Sequence, residues 1–190
     1  MARIDDFAAF VLSWEGGFVN HPNDKGGATN MGVTIATWRS VGYDKDEDGD
    51  IDVSDLKLLT KEDIIERVMR PYYWDRCKAD YIKSKSVACI IVDWYWGSGR
   101  IAIKKVQRLL GVEADGIIGQ QTLGALNHAD ARALFAAIKR ERIQFFKNIV
   151  KANPSQAVFL KGWLRRLSYI NFGSLQLNAN TTKIIRWNEE

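Results

Sequence analysis

The run Ile4-Asp5-Asp6-Phe7-Ala8-Ala9-Phe10-Val11-Leu12-Ser13-Trp14-Glu15-Gly16-Gly17-Phe18 decides how the rest of the chain is read. Ile4, Phe7, Ala8, Val11 and Trp14 recur at helical spacing and form one apolar stripe. Glu15 follows Val11 and Ala8 at one and two helical turns, so it belongs to that stripe and not to the polar back. Gly16 and Gly17 are expected to end the helix, as glycine past a C-terminus commonly does. A carboxylate placed there meets partial burial and the negative end of the helix dipole, and both favour its protonated form. A protonated acid at the rim of a cleft is what a general acid requires near neutral pH. The plainer alternative is a glutamate that reaches water beside a helix end.

Residues 16–32 are glycine-rich and polar, and they read as a loop or small hairpin passing over a cleft. Asp24 and Thr29 on this stretch are then candidates to face Glu15, Asp24 to offset charge or activate a water and Thr29 to hold that water. Asp24 also suits its Asn23-Asp24-Lys25-Gly26 turn, so a purely structural role stays open. Thr34 caps a short helix over 35–41 that Gly42 stops.

Residues 44–55, Asp-Lys-Asp-Glu-Asp-Gly-Asp-Ile-Asp-Val-Ser-Asp, match the calcium loop of an EF-hand. The ligands would be Asp44, Asp46, Asp48, Asp50 through its carbonyl, Asp52 through a water, and Asp55. Gly49 occupies the sharp turn, Ile51 the apolar position, and Asp55 replaces the usual bidentate glutamate. So many carboxylates repel one another without an ion, so Ca2+ is expected here in a structural role. A solvated acidic turn is the alternative.

Beyond the loop the chain is mainly helical. Thr60 opens a helix that Pro71 ends or kinks. Residues 86–96 form a helix that is apolar nearly all round, placed at the centre of the core, and 97–99 close it. Further helices follow over 101–110, from 122, over 130–151 and over 156–169, with a break at Asn153-Pro154. Residues 171–190 read as a loosely packed tail, with Ile184, Ile185 and Trp187 available to dock. The organisation expected is a region of residues 1–96, a helical region of residues 97–170 packed on it, and the tail.

The 190 residues are 46% hydrophobic, so a packed core is expected and disorder is not. A net charge of +4 suits an anionic partner such as nucleic acid, a membrane surface or a bacterial wall polymer. No basic run or zinc-finger spacing favours nucleic acid, and no stretch is long and apolar enough to span a membrane. The N-terminus carries acids where a signal peptide would be apolar, so synthesis in the cytoplasm is expected, and a wall-directed role would need a separate export route. The oligomeric state is left open. Cys77 and Cys89 read as free core thiols, and His21 and His128 as isolated polar residues.

Ser13-Trp14-Glu15-Gly16-Gly17-Phe18, followed by Asp24-Lys25-Gly26-Gly27-Ala28-Thr29-Asn30-Met31-Gly32-Val33-Thr34, resembles the glycoside hydrolase family 108 N-acetylmuramidases. These are lysozyme-like enzymes common in phages and prophages, with a Glu-Gly-Gly-Tyr/Phe box that Glu15 to Phe18 match. Residues 111–119 with Thr122-Leu123 resemble the predicted peptidoglycan-binding region that accompanies the family. The acidic loop looks like an insertion, and Gly97-Ser98-Gly99 stands where the family often has Asn-Ser-Gly. The resemblance implies a lysozyme-like helical fold and an endolysin-like role. It implies hydrolysis of the β-1,4 bond between N-acetylmuramic acid and N-acetylglucosamine, with Glu15 as catalytic acid. The order Glu15, Asp24, Thr29 is also similar to the Glu/Asp/Thr triad of phage-type lysozymes, with Thr34 competing for the place of Thr29. Trp96, Trp94 and Tyr73 are the aromatic residues expected to stack on sugar. A lytic transglycosylase using Glu15 alone, and a non-catalytic, calcium-stabilised wall-binding protein, are the competing readings.

Overall fold

The structure, a computed structural model, describes residues 3–20, 27–178 and 183–189. Asp24 and His21 lie outside the described residues. The fold is mainly helical. Helix α1 spans Ile4–Trp14 and buries Ile4, Phe7, Ala8, Phe10 and Val11. Strands β1, Thr29–Asn30, and β2, Val33–Thr34, form a two-residue hairpin through Met31 and Gly32. Both turn residues have positive φ, 47° and 82°, as the tight hairpin turns that match strand twist require. Helix α2, Ile35–Val41, is capped by the Thr34 hydroxyl and stops at Gly42, whose Cα lies against the Trp38 ring with no room for a Cβ.

Helix α3, Val53–Lys57, follows the acidic loop, and α4, Lys61–Ile64, starts at a Thr60–Asp63 capping box. Pro71 was expected to end or kink this helix. Instead the chain continues as a π-helix over Ile65–Trp74, with Pro71 inside it. The wider i→i+5 register, seen in the Asp75 N–H to Arg70 C=O bond of 2.9 Å, accommodates a residue that has no N–H to donate.

Helix α5, Lys85–Ser98, is the centre of the molecule. Ser84 caps it and every residue from Ser86 to Tyr95 is buried. Ile90, Ile91 and Trp94 are fully enclosed, each burial stabilising the fold by about 2 kcal/mol. Helices α6, Arg100–Leu110, and α8, Ala131–Ala152, pack against it, with α7, Gln120–His128, on α6 and α9, Ala157–Ser168, on α8. The chain after Gly99 thus shares the core of the chain before it.

The tail is not loosely packed. Strands β3, Ile170–Asn171, β4, Ser174–Gln176, and β5, Ile184–Arg186, make an antiparallel sheet that buries Ile170 and Leu175. Its polar groups reach both helices that matter below. Glu189 accepts hydrogen bonds from the backbone N–H and hydroxyl of Ser86, at the start of α5. The Trp187 indole donates to Asp6 of α1, and the Asn178 N–H donates to the Ser13 hydroxyl. Cys77 and Cys89 are buried and free.

Candidate active site

Glu15 ends α1. It is the C-cap residue, in an extended conformation, and its N–H still bonds the Val11 carbonyl at 3.2 Å. The helix therefore stops at Trp14, before the two glycines expected to stop it. The Glu15 side chain is 22% exposed. Gly32, at the hairpin turn, backs onto its carboxylate: a Cβ there would stand 2.9 Å from Oε2. The hairpin thus reaches Glu15 through a glycine backbone. Thr29 pairs through its own backbone with Val19 and sits opposite Thr34 in the hairpin.

Glu15 has a cation beside it. Arg166 Nη1, from α9, lies 3.5 Å from Glu15 Oε1. The same guanidinium donates through Nε and Nη2 to Asp93 Oδ1, at 3.1 and 2.7 Å. Arg142 of α8 places Nη1 2.8 Å from Asp93 Oδ2, an ion pair in distance whose angle falls short of a hydrogen bond. Asp93 is fully enclosed on α5. Burial alone would raise its carboxyl, but Arg166 and Arg142 outweigh burial and hold it below the usual carboxylate range. Arg166 runs the other way: burial works to lower it, and Asp93, then Glu15, leave it raised. For Arg142 burial prevails and the group is lowered.

Glu15 and this network line a cleft of about 320 Å³. Trp96, Gly97 and Ser98 at the end of α5 form one side. Arg142, Phe146, Ile149, Trp163 and Arg166, from α8 and α9, form the other. Tyr73 packs on Trp96 with ring centroids 4.4 Å apart. Both rings are half-buried and border the groove that leads on from the cleft. Trp94 is different. It is fully buried, packs on Phe145, and offers no face to a sugar. Two positions along a helix turn a side chain through most of a half circle, and that separates Trp94 from Trp96. The acidic loop lies elsewhere. Its carboxylates form two trios, Asp44–Asp46–Asp48 and Asp50–Asp52–Asp55, each with oxygens within 4.8 Å of one another.

The family model described as glycosyl hydrolase 108 matches residues 8–99, and one described as a predicted peptidoglycan domain matches residues 101–168. A solved structure titled as that of Brucella abortus SagA is 31% identical, covers 88% of this chain and 90% of its own, and superposes with a TM-score of 0.69. The chain belongs to the glycosyl hydrolase 108 family. No curated protein matches it. As a glycosyl hydrolase 108 protein it is a glycoside hydrolase acting on peptidoglycan. Its cleft is shared between the two matched regions: Glu15 and Trp96 come from the first, Arg142, Trp163 and Arg166 from the second.

Sequence patterns single out Glu15 and Trp96 but not Arg166, Arg142, Asp93 or Gly32. One signal was present. Asp93 interrupts a run of apolar residues in a central helix, and a buried carboxylate demands cationic partners. Which arginines answer it is a matter of tertiary structure.

Proposed function

We propose that the protein is an N-acetylmuramidase in which Glu15 is the general acid. The observation that carries this reading is the position of Glu15: a part-buried carboxylate at the end of a helix, opening into a cleft walled by aromatic rings. Glycoside cleavage needs a proton on the leaving oxygen, and among the described residues Glu15 is the cleft carboxylate with access to bound substrate. Asp93 also lines the cleft but is fully enclosed and held by two guanidinium groups, so it serves as an anchor and not as a nucleophile. Arg166 then fixes the Glu15 carboxylate from one side while the Gly32 backbone closes the other. Trp96 and Tyr73 are the rings assigned to sugar stacking. Asp24 and Thr29 keep their proposed parts in charge compensation and water positioning.

Product chemistry tests the reading. Soluble muropeptides with free reducing ends support a hydrolase; 1,6-anhydro ends would assign the protein as a lytic transglycosylase. Binding without release would leave a wall-binding protein. Delivery to the wall, on this reading, is by export or holin-type release in an endolysin-like role.

The acidic loop is assigned a structural Ca2+. Asp46 is raised by burial and by Asp48, Asp55 and Asp44, and Asp50 is raised first by Asp48. A divalent cation would relieve that repulsion, and a cluster of carboxylate oxygens suits a hard ion. Asp55 supports the loop from inside: it is fully buried and accepts from the N–H groups of Lys45, Asp46 and Asp52. Gly49, at φ 104°, makes the sharp turn.

A further inference from the structure

Two further hollows share wall residues in turn with the Glu15 cleft. The first, about 390 Å³, shares Trp96, Gly97 and Ser98 with the cleft and adds Tyr72 and Tyr73. The second, about 410 Å³, shares Arg76 and Tyr95 with the first and adds Lys78, Arg100 and the exposed Ile117. Shared walls join the three into one track, and its chemistry changes with distance from Glu15. Beyond the ion-paired Arg142 and Arg166 of the cleft, ring faces come first and cations without an ion pair come last.

The cations at the far end are unusually free. None of Arg76, Lys78 and Arg100 forms an ion pair among the described residues. Arg76 lies over the Tyr72 ring at 5.3 Å, a contact that orients the guanidinium without neutralising it. Among the described residues Arg100 donates to the Asp115 backbone carbonyl alone, at 3.4 Å, and forms no ion pair with the Asp115 carboxylate near it. Among the described residues Asp75 is the one carboxylate in the lining of this hollow and Asp115 stands beside Arg100, so positive charges outnumber negative ones there. Lys78 holds φ 47° and ψ 41°, a left-handed backbone that lysine seldom adopts. Like charges gathered in a concave wall focus a positive potential, which favours an anion held against it.

We propose that this basic end is a subsite for the carboxylates of the peptide stem carried by a muramic acid residue away from the cleaved bond. It makes the enzyme prefer peptide-substituted glycan over uncharged glycan. The proposal rests on the peptidoglycan-hydrolase reading above. A glycan strand lying on Trp96 and Tyr73 exits the cleft toward Arg76, and of the parts of such a strand the peptide stems carry most of the negative charge. Arg76 and Arg100 suit carboxylates because a guanidinium pairs with them through two parallel hydrogen bonds.

The test is a binding measurement in the Glu15→Gln protein, which holds ligand uncut. The probes are a purified peptide-bearing muropeptide tetrasaccharide and the same compound with its carboxylates converted to amides. Calorimetry is expected to show about tenfold tighter binding of the charged probe. Adding Arg76→Gln, Lys78→Gln and Arg100→Gln together is expected to erase the difference while affinity for the amidated probe stays unchanged, which also shows that the fold is intact. A control triple of equal charge change, Lys61→Gln, Lys151→Gln and Lys161→Gln, is expected to keep the difference. Equal affinity for the two probes in the parent overturns the proposal. So does a difference that survives the groove triple, or that the control triple also abolishes. Failure of the muramidase reading shows separately, as wild-type protein that releases no reducing ends from peptidoglycan.

Discussion

Arg166 Nη1 stands 3.5 Å from Glu15 Oε1 while two other nitrogens of the same guanidinium grip Asp93. An enclosed aspartate on α5 thereby sets where the end of α1 points its carboxylate, through an arginine contributed by α9. Removing the arginine leaves Asp93 with one off-line partner, Arg142. Arg166→Ala is expected to destabilise the fold by about 3 kcal/mol, the cost of stripping a buried charge of a partner. Arg166→Lys keeps the charge but not the fork. It is expected to fold and to lose about tenfold in kcat with KM little changed. Melting curves and initial rates on soluble glycan check both, and a lysine variant with wild-type kcat would remove Arg166 from the positioning of Glu15.

Gly32 is the second constraint on that carboxylate. Alanine there faces a strained φ of 82° and a contact of 2.9 Å with Glu15 Oε2. Gly32→Ala is expected to cost about 1 kcal/mol of stability and a larger share of activity, because the carboxylate must move aside. A half-buried helical glycine whose Cβ would meet nothing, Gly124, is the comparison: Gly124→Ala in α7 is expected to be neutral or slightly stabilising.

Acid stability should report on Asp63. Burial works to raise this carboxyl, but its bonds from Lys45, Thr60 and Tyr43 prevail and lower it from 3.8 to about 2. A folded value below the unfolded one means stability present above pH ~4 and lost as pH falls through ~2. The shift corresponds to about 2 kcal/mol at neutral pH. Asp63→Asn is expected to lower stability by about that amount at pH 7, with the gap to wild type closing between pH ~4 and ~2. Urea titrations across that range decide it; a gap independent of pH would place the stabilisation elsewhere.

Calcium should act on the fold and not on the chemistry. Adding Ca2+ is expected to raise Tm by several degrees, an effect of ligand binding to the native state alone. Asp44→Ala and Asp48→Ala should each reduce that rise while leaving calcium-free activity near wild type. An identical Tm with and without Ca2+ would refute a structural ion.

Helices were legible where periodicity and caps agree. Thr34, Thr60 and Asn153-Pro154 each mark the boundary expected of them. The central place of α5 followed from its being apolar nearly all round, and that same feature hid which face carries function: Trp94 and Trp96 look alike in sequence and only one reaches the cleft. Pro71 misleads because the π-helical register is a tertiary compromise, not a local preference. The tail strands are two or three residues long, too short for alternation to register, and they are held by side chains such as Glu189 that dock over 100 residues away in sequence. The Asp93–Arg166–Glu15 relay was invisible for the same reason: an ion pair spanning 73 positions leaves no local pattern.

The most direct test of the account is the product spectrum of Glu15→Gln against wild type on purified peptidoglycan, read by mass spectrometry with a reducing-end assay. Wild type is predicted to release muropeptides ending in N-acetylmuramic acid with free reducing ends. The variant is predicted to release at least roughly 100-fold less, as loss of a general acid implies, while keeping its Tm and its binding to the polymer. A Glu15→Gln protein that releases the same products at a rate near wild type would contradict the assignment of Glu15 as the catalytic acid.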